Sequence, residues 1–274
     1  MNKNTIISIV IPVKGRINFV IEAINSILNQ NLTHQYILEI IIVEDYESPK
    51  TFAGRIKQLY PQIRYIKNKD KEGPGGCRNT GLEYAKGKYI IFLDSDDQFL
   101  KKSINIMLDI LTKDKAVAVV CLSYSKFEKK YSVKERIKLL PLMWIRDFIF
   151  LTSYYFNSTN LFPSAFYLCQ ISHMMFKKRS IDNIRFNYDF RRGGEDWDFF
   201  SRVLERGSIK IILKCLLIFR YTPGSTTDSA LNRKFKWSSY LKLAGRLGGK
   251  FQNSIFYRLF LVYIRIYGGK NSHA

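Results

Sequence analysis

Hydrophobic residues in the first hundred positions form short continuous runs, separated by segments with a helical period. The run at 6–13 is apolar and largely β-branched, which is typical of a parallel strand buried on both faces. From 18 to 29 the apolar positions instead follow the spacing of one helix face. We predict further strands at 39–43, about 63–67 and 89–93, with helical segments between them.

This alternation of strands and helices predicts an α/β fold with a Rossmann-like, open and mostly parallel sheet flanked by helices. A helix at 103–111 and a strand at 116–127 extend the core, and strand character returns at 166–176 before a helix at 197–205. We predict one domain over 1–228, made of the halves 1–100 and 101–228. A basic helical extension at 229–274 follows it.

Polar residues gather where the predicted strands end. Pro12 and Val13 close the first strand, Asp45 follows the second, and the acidic stretch 94–97 follows the fourth. In open parallel sheets, ligands bind at the carboxyl ends of the strands, where the strand order reverses. We therefore expect these residues to line one crevice.

The stretch DSDD at 94–97 places three carboxylates in four residues of an otherwise basic chain. Carboxylates this close repel one another, and a divalent cation would relieve the repulsion. Mn²⁺ and Mg²⁺ prefer oxygen ligands and share one or two carboxylates with the phosphates of a substrate. The alternative is a solvated acidic turn before the helix at 103. We favour the metal site because a buried strand leads directly into the acids.

Two further clusters have a possible chemical role. In EGPGGCRNTGLEYAKG, glycines including Gly75 precede Arg78, Asn79 and a helix, an arrangement that permits close backbone approach and favours an anion. A simple turn explains it equally well. In RRGGEDWDFFSR, the carboxylates of Glu195, Asp196 and Asp198 alternate with aromatic residues, and one of them is able to accept a proton from a substrate hydroxyl. Spacing alone favours the simpler alternative, acids placed on a helix dipole.

Charge and composition limit the classes of partner that the chain is expected to have. The chain has 44 basic and 23 acidic residues, a net charge of +21, which predicts attraction to nucleic acid, phosphorylated small molecules or a membrane surface. The four cysteines lack a close pairing and suit buried thiols in a reducing compartment. No apolar run reaches the roughly 20 residues that span a bilayer.

The last 46 residues are basic and aromatic. Positions 229–274 hold nine Lys or Arg residues and no Asp or Glu. Such a segment predicts an interfacial helix on an anionic membrane surface, and the alternative is a packed terminal helix with a solvated basic face. We expect a cytoplasmic protein that is peripheral at the inner face of the cell membrane.

In this order, the motifs SIVIPVKGR, IIVEDYES, GGCRNTGL, FLDSDD and GGEDWDFFSR resemble those of family 2 nucleotide-sugar glycosyltransferases, which have the GT-A fold. The motifs cover about 200 residues, and their joint order is far more specific than any one of them. The resemblance implies an inverting enzyme that moves a hexose from a UDP-sugar to a hydroxyl of a glycan or lipid-linked acceptor. It further implies a role in bacterial surface polysaccharide or lipooligosaccharide synthesis, with the nucleotide site in the half 1–100 and the acceptor site in the half 101–228.

The resemblance also implies roles for single residues. It assigns donor binding to Pro12, Val13, Asp45, Gly75, Arg78, Asn79, Asp94 and Ser95. Asp45 would pair with the uracil ring, and Asp94 would face the ribose or the sugar. Asp96 would ligate Mn²⁺ or Mg²⁺, and Asp196 would be the catalytic base.

Two positions depart from the family pattern, and two other functions compete. Tyr46 replaces a small turn residue beside the expected base site, and Thr222 stands where many relatives carry a histidine that contacts the metal or the diphosphate. A nucleotidyltransferase would share the metal carboxylates but leaves GGEDWDFF unexplained. A nucleic-acid-binding protein would use the basic surface, but acids at the strand ends repel a phosphate backbone unless a metal is present, so we expect no nucleic-acid partner.

Overall fold

The structure is a computed structural model that describes residues 4–46, 50–127, 170–190 and 194–222. Most of these residues belong to one compact unit, which takes in 1–126, 170–188 and 199–220. The others belong to a second unit made of 127–169, 189–198 and 221–274. The predicted basic extension at 229–274 lies outside the described residues, so it stays a prediction.

The first half of the sheet is parallel, as predicted. Its strands are β1 (Thr5–Val13), β2 (Tyr36–Glu44), β3 (Arg64–Lys67) and β4 (Tyr89–Phe92), in the spatial order β3-β2-β1-β4. The connecting helices are α1 (Ile17–Leu28), α2 (Lys50–Leu59) and α3 (Pro74–Tyr84). Because the chain moves outward from β1 to β3 and returns to pair β4 on the other side of β1, the strand order reverses between β1 and β4.

The second half of the sheet pairs mainly antiparallel. Its elements are β5 (Gln98–Phe99), α4 (Ser103–Lys113), β6 (Ala118–Phe127), β7 (Met174–Lys177), α5 (Glu195–Leu204) and β8 (Ile209–Tyr221), with short 3-10 helices at Ile171–His173, Lys178–Ser180 and Tyr188–Phe190. The eight strands are ordered β3-β2-β1-β4-β7-β6-β8-β5, and the pairs β4-β7, β6-β7 and β5-β8 are antiparallel. None of the described helices is long and apolar enough to cross a membrane.

Burial explains the apolar runs. Ile9 and Val10 of β1 and Ile90 and Ile91 of β4 are fully buried, so neighbouring residues that point to opposite faces are covered on both sides of the sheet. Helix α1 covers one face with its buried stripe Val20, Ala23, Ile24 and Ile27. A strand buried on both faces has no polar side to alternate with, which is why these runs are continuous.

Helix α3 begins at Pro74, whereas the sequence predicted a helix start near residue 79. Proline suits the first helical position because its φ is already helical and its missing N–H has no intrahelical partner there. Gly73 precedes it at φ 107°, a left-handed conformation that favours glycine. A Cβ on Gly76 would lie 1.7 Å from the Lys71 carbonyl oxygen. These glycines therefore start a helix that packs closely against the preceding loop.

Candidate active site

Asp45 lies at the carboxyl end of β2, where its backbone joins β1. It is almost fully buried, and its N–H donates to the Val13 carbonyl at 2.9 Å. Oδ1 accepts a hydrogen bond from Asn68 Nδ2 at 3.2 Å, and Oδ2 accepts one from the Gly73 N–H at 3.0 Å. A carboxylate has about four acceptor positions. The two bonds therefore fix its orientation and leave acceptor capacity for an N–H of a ligand.

Asn68 joins the loop after β3 to helix α3, a role that the sequence analysis did not predict. Its Nδ2 also donates to the Lys71 carbonyl at 3.0 Å, and its Oδ1 accepts from Thr80 Oγ1 at 2.9 Å and from the Asp70 N–H at 3.0 Å. Every one of these groups is polar and Asn68 is buried, so the bonds satisfy groups that water does not reach. The loop is thereby held as one side of the Asp45 site.

Pro12, Val13 and Gly75 contribute shape to this region. Pro12 pairs with Val43 and Val13 with Glu44 in the β1-β2 register, and both residues of β1 are buried. A Cβ on Gly75 would lie 3.2 Å from the Phe186 Cβ, so a glycine allows α3 to pack closely there. Pro12 and Val13 lie at the strand end, as predicted, whereas Gly75 lies in the first turn of α3 instead of in a loop before the helix.

Cys77 lies beside Asp45 on α3. Burial raises the pKa of its thiol well above the ordinary value, the Asp45 charge raises it further, and the Arg78 and Lys14 charges oppose the shift. The thiol is therefore protonated at neutral pH.

Lys14 Nζ and the Glu72 carboxylate form an exposed ion pair at 3.2 Å between the loops that follow β1 and precede α3.

Tyr46, one of the two departures from the family pattern, is exposed. Its hydroxyl donates to the Asp70 carbonyl at 2.9 Å. The ring therefore attaches to the loop that also holds Asn68. This bond gives a bulky residue a place where a small turn residue is common.

Arg78 and Asp94 form an ion pair across the switch point. Arg78 Nη2 lies 2.6 Å from Asp94 Oδ1, and their side chains are 3% and 31% exposed. The Asp94 N–H donates to Ser172 Oγ at 3.0 Å. Asp94 is thus fixed through both its backbone and its side chain, and the cation predicted to attract a phosphate lies against a carboxylate.

Asn79 uses both ends of its amide on the protein. Oδ1 accepts from the Phe186 N–H at 2.7 Å, and Nδ2 donates to the Phe186 carbonyl at 3.0 Å and to Asp70 Oδ2 at 2.8 Å. It is buried. Asn79 therefore stabilises the site through its bonds to Phe186 and Asp70.

The three acids at 94–97 differ in environment. Asp94 and Asp96 are partly exposed, as is Ser95 between them, whereas Asp97 is fully buried. Burial raises the pKa of Asp97 well above its usual range, and the Asp94 and Asp96 charges raise it further. Hydrogen bonding from the Arg220 N–H, 3.2 Å from Oδ1, and from Ser172 opposes the shift. Asp97 is therefore a structural acid that favours its neutral form.

Asp96 is the carboxylate that the sequence predicted to bind a divalent cation. Within the part of the chain that the structure describes, no three His, Cys, Asp or Glu side chains converge to hold a metal. Asp94 and Asp96 are both partly exposed, and Oδ1 of Asp94 is bonded to Arg78. Mg²⁺ commonly takes one or two carboxylates and completes its shell with water and phosphate oxygens.

Asp196 lies in the first turn of α5, together with Glu195 and Asp198. It is partly exposed, while Asp198 is fully buried. The Asp198 N–H donates to the Gly194 carbonyl at 2.9 Å, and Gly194 has φ 96°. This helix start has the acids that the dipole favours. Asp196 belongs to the second compact unit, as does the buried Thr222 that follows β8.

Comparison with known proteins identifies the family. The model of glycosyl transferase family 2 matches residues 8–184. An uncharacterized glycosyltransferase of Rickettsia felis is 32% identical over 233 residues, covering 82% of this chain and 34% of the relative. The chain thus spans about a third of the length of the first Rickettsia relatives that it matches.

Two further proteins are similar to this chain, one in sequence and one in structure. The GalNAc(5)-diNAcBac-PP-undecaprenol beta-1,3-glucosyltransferase of Campylobacter jejuni is 27% identical over 246 residues, covering 87% of this chain and 72% of that protein. The structure of S. aureus TarS 1-349 in complex with UDP-GlcNAc superposes with a TM-score of 0.67 at 16% identity, covering 89% of this chain and 66% of TarS 1-349. This structural likeness confirms the predicted GT-A fold class. With the family model matching well over half of its residues, the chain belongs to glycosyl transferase family 2.

Proposed function

We propose that the chain is an inverting hexosyltransferase that uses a UDP-sugar and acts in bacterial surface polysaccharide or lipooligosaccharide synthesis. The observation that carries the proposal is the placement of Asp45 and the Arg78–Asp94 pair at the carboxyl ends of β2 and β4, on either side of β1. Similar proteins include a glucosyltransferase named for an undecaprenol-linked acceptor and a structure with bound UDP-GlcNAc. The acceptor is therefore a glycan or a lipid-linked saccharide.

Donor recognition uses the acceptor oxygens of two carboxylates. Asp45 is oriented by Asn68 and Gly73 and accepts the imide N–H of uracil. Asp94 is oriented by Arg78 and Ser172 and accepts a hydroxyl hydrogen from the ribose or the sugar. A site whose buried polar groups need a ligand N–H or O–H rejects ligands that lack it.

Asp96 would hold Mn²⁺ or Mg²⁺, with the donor diphosphate supplying further oxygen ligands. When bound, the ion supplies positive charge where the departing UDP becomes negative. Asp196 removes the proton from the acceptor hydroxyl while that oxygen bonds to the anomeric carbon on the face opposite UDP. The bond to UDP breaks in the same displacement, so the anomeric configuration is inverted.

Replacement of Asp96 by Asn should remove the metal-dependent part of UDP binding. The amide is a weaker ligand than a carboxylate for a hard cation, so the UDP affinity in Mn²⁺ should fall to that of the wild type in EDTA. Calorimetry measures both. Asp109→Asn is the matched control because Asp109 is an exposed acid on α4 whose carboxylate pairs with the exposed Lys113 at 2.6 Å. Metal-assisted UDP binding that survives in Asp96→Asn would remove Asp96 from the metal site.

The experiment for the reaction is a panel of UDP-sugars, each incubated with Mn²⁺ and an undecaprenyl-diphosphate-linked saccharide. We expect release of UDP with one of them and a product extended by one hexose of inverted configuration. Release of pyrophosphate would instead identify a nucleotidyltransferase.

We further propose that the basic segment 229–274 binds an anionic membrane surface, which would bring the enzyme to a lipid-linked acceptor. Each Lys or Arg near such a surface contributes about 1 kcal/mol. The chain should therefore sediment with phosphatidylglycerol vesicles at low salt, and a variant with Arg233, Lys234 and Lys236 replaced by Gln should do so more weakly. Failure of the wild type to bind at low salt would contradict the proposal.

A further inference from the structure

We infer that Arg78 is a positioning residue that acts through Asp94, and that Phe186 and Asn79 hold it in place. The inference rests on the proposed binding of a UDP-sugar and gives Arg78 an indirect role in the donor binding that the family resemblance implies for it. It also assigns a role to Phe186, which belongs to none of the sequence motifs.

The exposure of the two partners decides which of them meets a ligand. The Arg78 side chain is 3% exposed, whereas Asp94, 2.6 Å from it, is 31% exposed. A ligand that enters from solvent therefore reaches the carboxylate first. With Oδ1 bonded to Arg78, Asp94 keeps Oδ2 for a ligand hydroxyl. A charge-assisted bond of this kind is strong and directional.

An aromatic ring also packs against the Arg78 guanidinium. The Arg78 Cζ lies 5.2 Å from the centre of the Phe186 ring, within cation–π range. That ring stacks on Phe199 with centroids 4.2 Å apart and planes 7° apart, and it meets the Phe92 ring edge-on at 5.2 Å. Phe92 is the last residue of β4, two positions before Asp94. The guanidinium thus rests on the packed core that also anchors the strand carrying Asp94.

Asn79 fixes the backbone of Phe186. Its amide bonds both the N–H and the carbonyl of Phe186, at 2.7 and 3.0 Å. Arg78 and Asn79 are consecutive in α3. The same helical turn therefore positions both the Arg78 guanidinium and the backbone of Phe186. Two adjacent residues predicted to contact the nucleotide therefore support Asp94 from behind.

A double-mutant cycle tests whether the pair is coupled. Arg78→Met and Asp94→Asn each leave one buried or half-buried partner without its counterpart, so each should lower the free energy of unfolding. The double variant should lose clearly less than the sum of the two. Losses that simply add would overturn the inference.

Ligand binding separates positioning from direct phosphate contact. We measure the affinities for uridine, UDP and a UDP-sugar by ligand-observed NMR and calorimetry. Asp94→Asn should lower the affinity about tenfold for each of the three ligands that Asp94 contacts. Arg78→Met should lower the three affinities by the same relative amounts as Asp94→Asn. In the Asp94→Asn background, Arg78→Met should add less than about twofold.

Two further variants guard against loss of the fold. Phe186→Leu keeps both charges and removes the ring that contacts the guanidinium. Its losses of affinity should therefore be smaller than those of Arg78→Met, with the same ratios among the three ligands. Arg220→Met is the matched control because Arg220 is equally buried, lies 4.5 Å over the Phe19 ring and pairs with the half-exposed Glu22. It should lower the free energy of unfolding and leave the ratios among the affinities for the three ligands unchanged.

The outcomes are distinct. A loss in Arg78→Met that is confined to ligands with a diphosphate, and that Asp94→Asn lacks, would show direct phosphate contact and overturn this inference alone. A change of proportions in Arg220→Met would show a general effect of losing a buried cation and would also overturn it. Absence of UDP binding by the wild type would overturn the proposed function itself.

Discussion

Replacement of Asp196 by Asn will leave UDP-sugar binding unchanged and reduce transfer by about 10²–10⁴-fold, the usual contribution of a positioned general base. Asn has nearly the same shape as Asp and keeps a polar side chain in the first turn of α5, but its amide does not take a proton. Binding is measured by calorimetry and transfer by UDP release in the presence of acceptor.

Glu195→Gln is the matched control for this variant. Glu195 lies in the same helical turn and is likewise partly exposed, so its loss removes one negative charge from the same helix start. We expect the transfer rate to change by less than about fivefold, since charge at a helix N-terminus contributes only about 0.3–1 kcal/mol. Transfer at the wild-type rate in Asp196→Asn would remove Asp196 from the mechanism, and equal losses in both variants would indicate a general electrostatic effect.

Replacement of Gly76 by Ala will destabilise the fold by about 3 kcal/mol and weaken UDP binding with it. A Cβ on Gly76 would lie 1.7 Å from the Lys71 carbonyl oxygen and 3.3 Å from Asn68 Nδ2. The backbone must move to make room, and the loop that moves carries the bonds to Asp45. Urea unfolding gives the stability, and calorimetry gives the UDP affinity.

Gly54→Ala gives the opposite result at an uncrowded glycine of helix α2. A Cβ on Gly54 would meet nothing within 4 Å. Alanine in a helix interior is favoured over glycine by about 1 kcal/mol, so this variant should be more stable than the wild type. A Gly76→Ala variant as stable as the wild type would show that the loop after β3 gives way without strain and does not fix Asp45.

Much of the sheet was predictable because the parallel strands are buried on both faces. The run at 6–13 is continuous in sequence for the same reason that the neighbouring residues Ile9 and Val10 are both fully buried. The start of α3 was not predicted, since glycines were assigned to a loop. Pro74 and the close approach of Gly76 to Lys71 outweigh the low helix propensity of glycine there.

The partners of the site residues were beyond the sequence. Arg78 and Asp94 lie 16 positions apart, and Asn79 and Phe186 lie 107 apart, so their contacts depend on the topology of the sheet. Neighbouring acids also look alike in sequence. Only the fold shows that Asp97 turns into the core while Asp96 remains partly exposed.

Titration of UDP into the 274-residue chain, with and without Mn²⁺, tests most directly whether the carboxyl ends of β2 and β4 form a nucleotide site. We expect UDP to bind, Mn²⁺ to tighten binding, and Asp45→Asn to weaken it at least about tenfold, since its amide cannot accept from Gly73, Asn68 and uracil at once. Absence of heat from UDP, or equal affinity in Asp45→Asn and the wild type, would contradict this site.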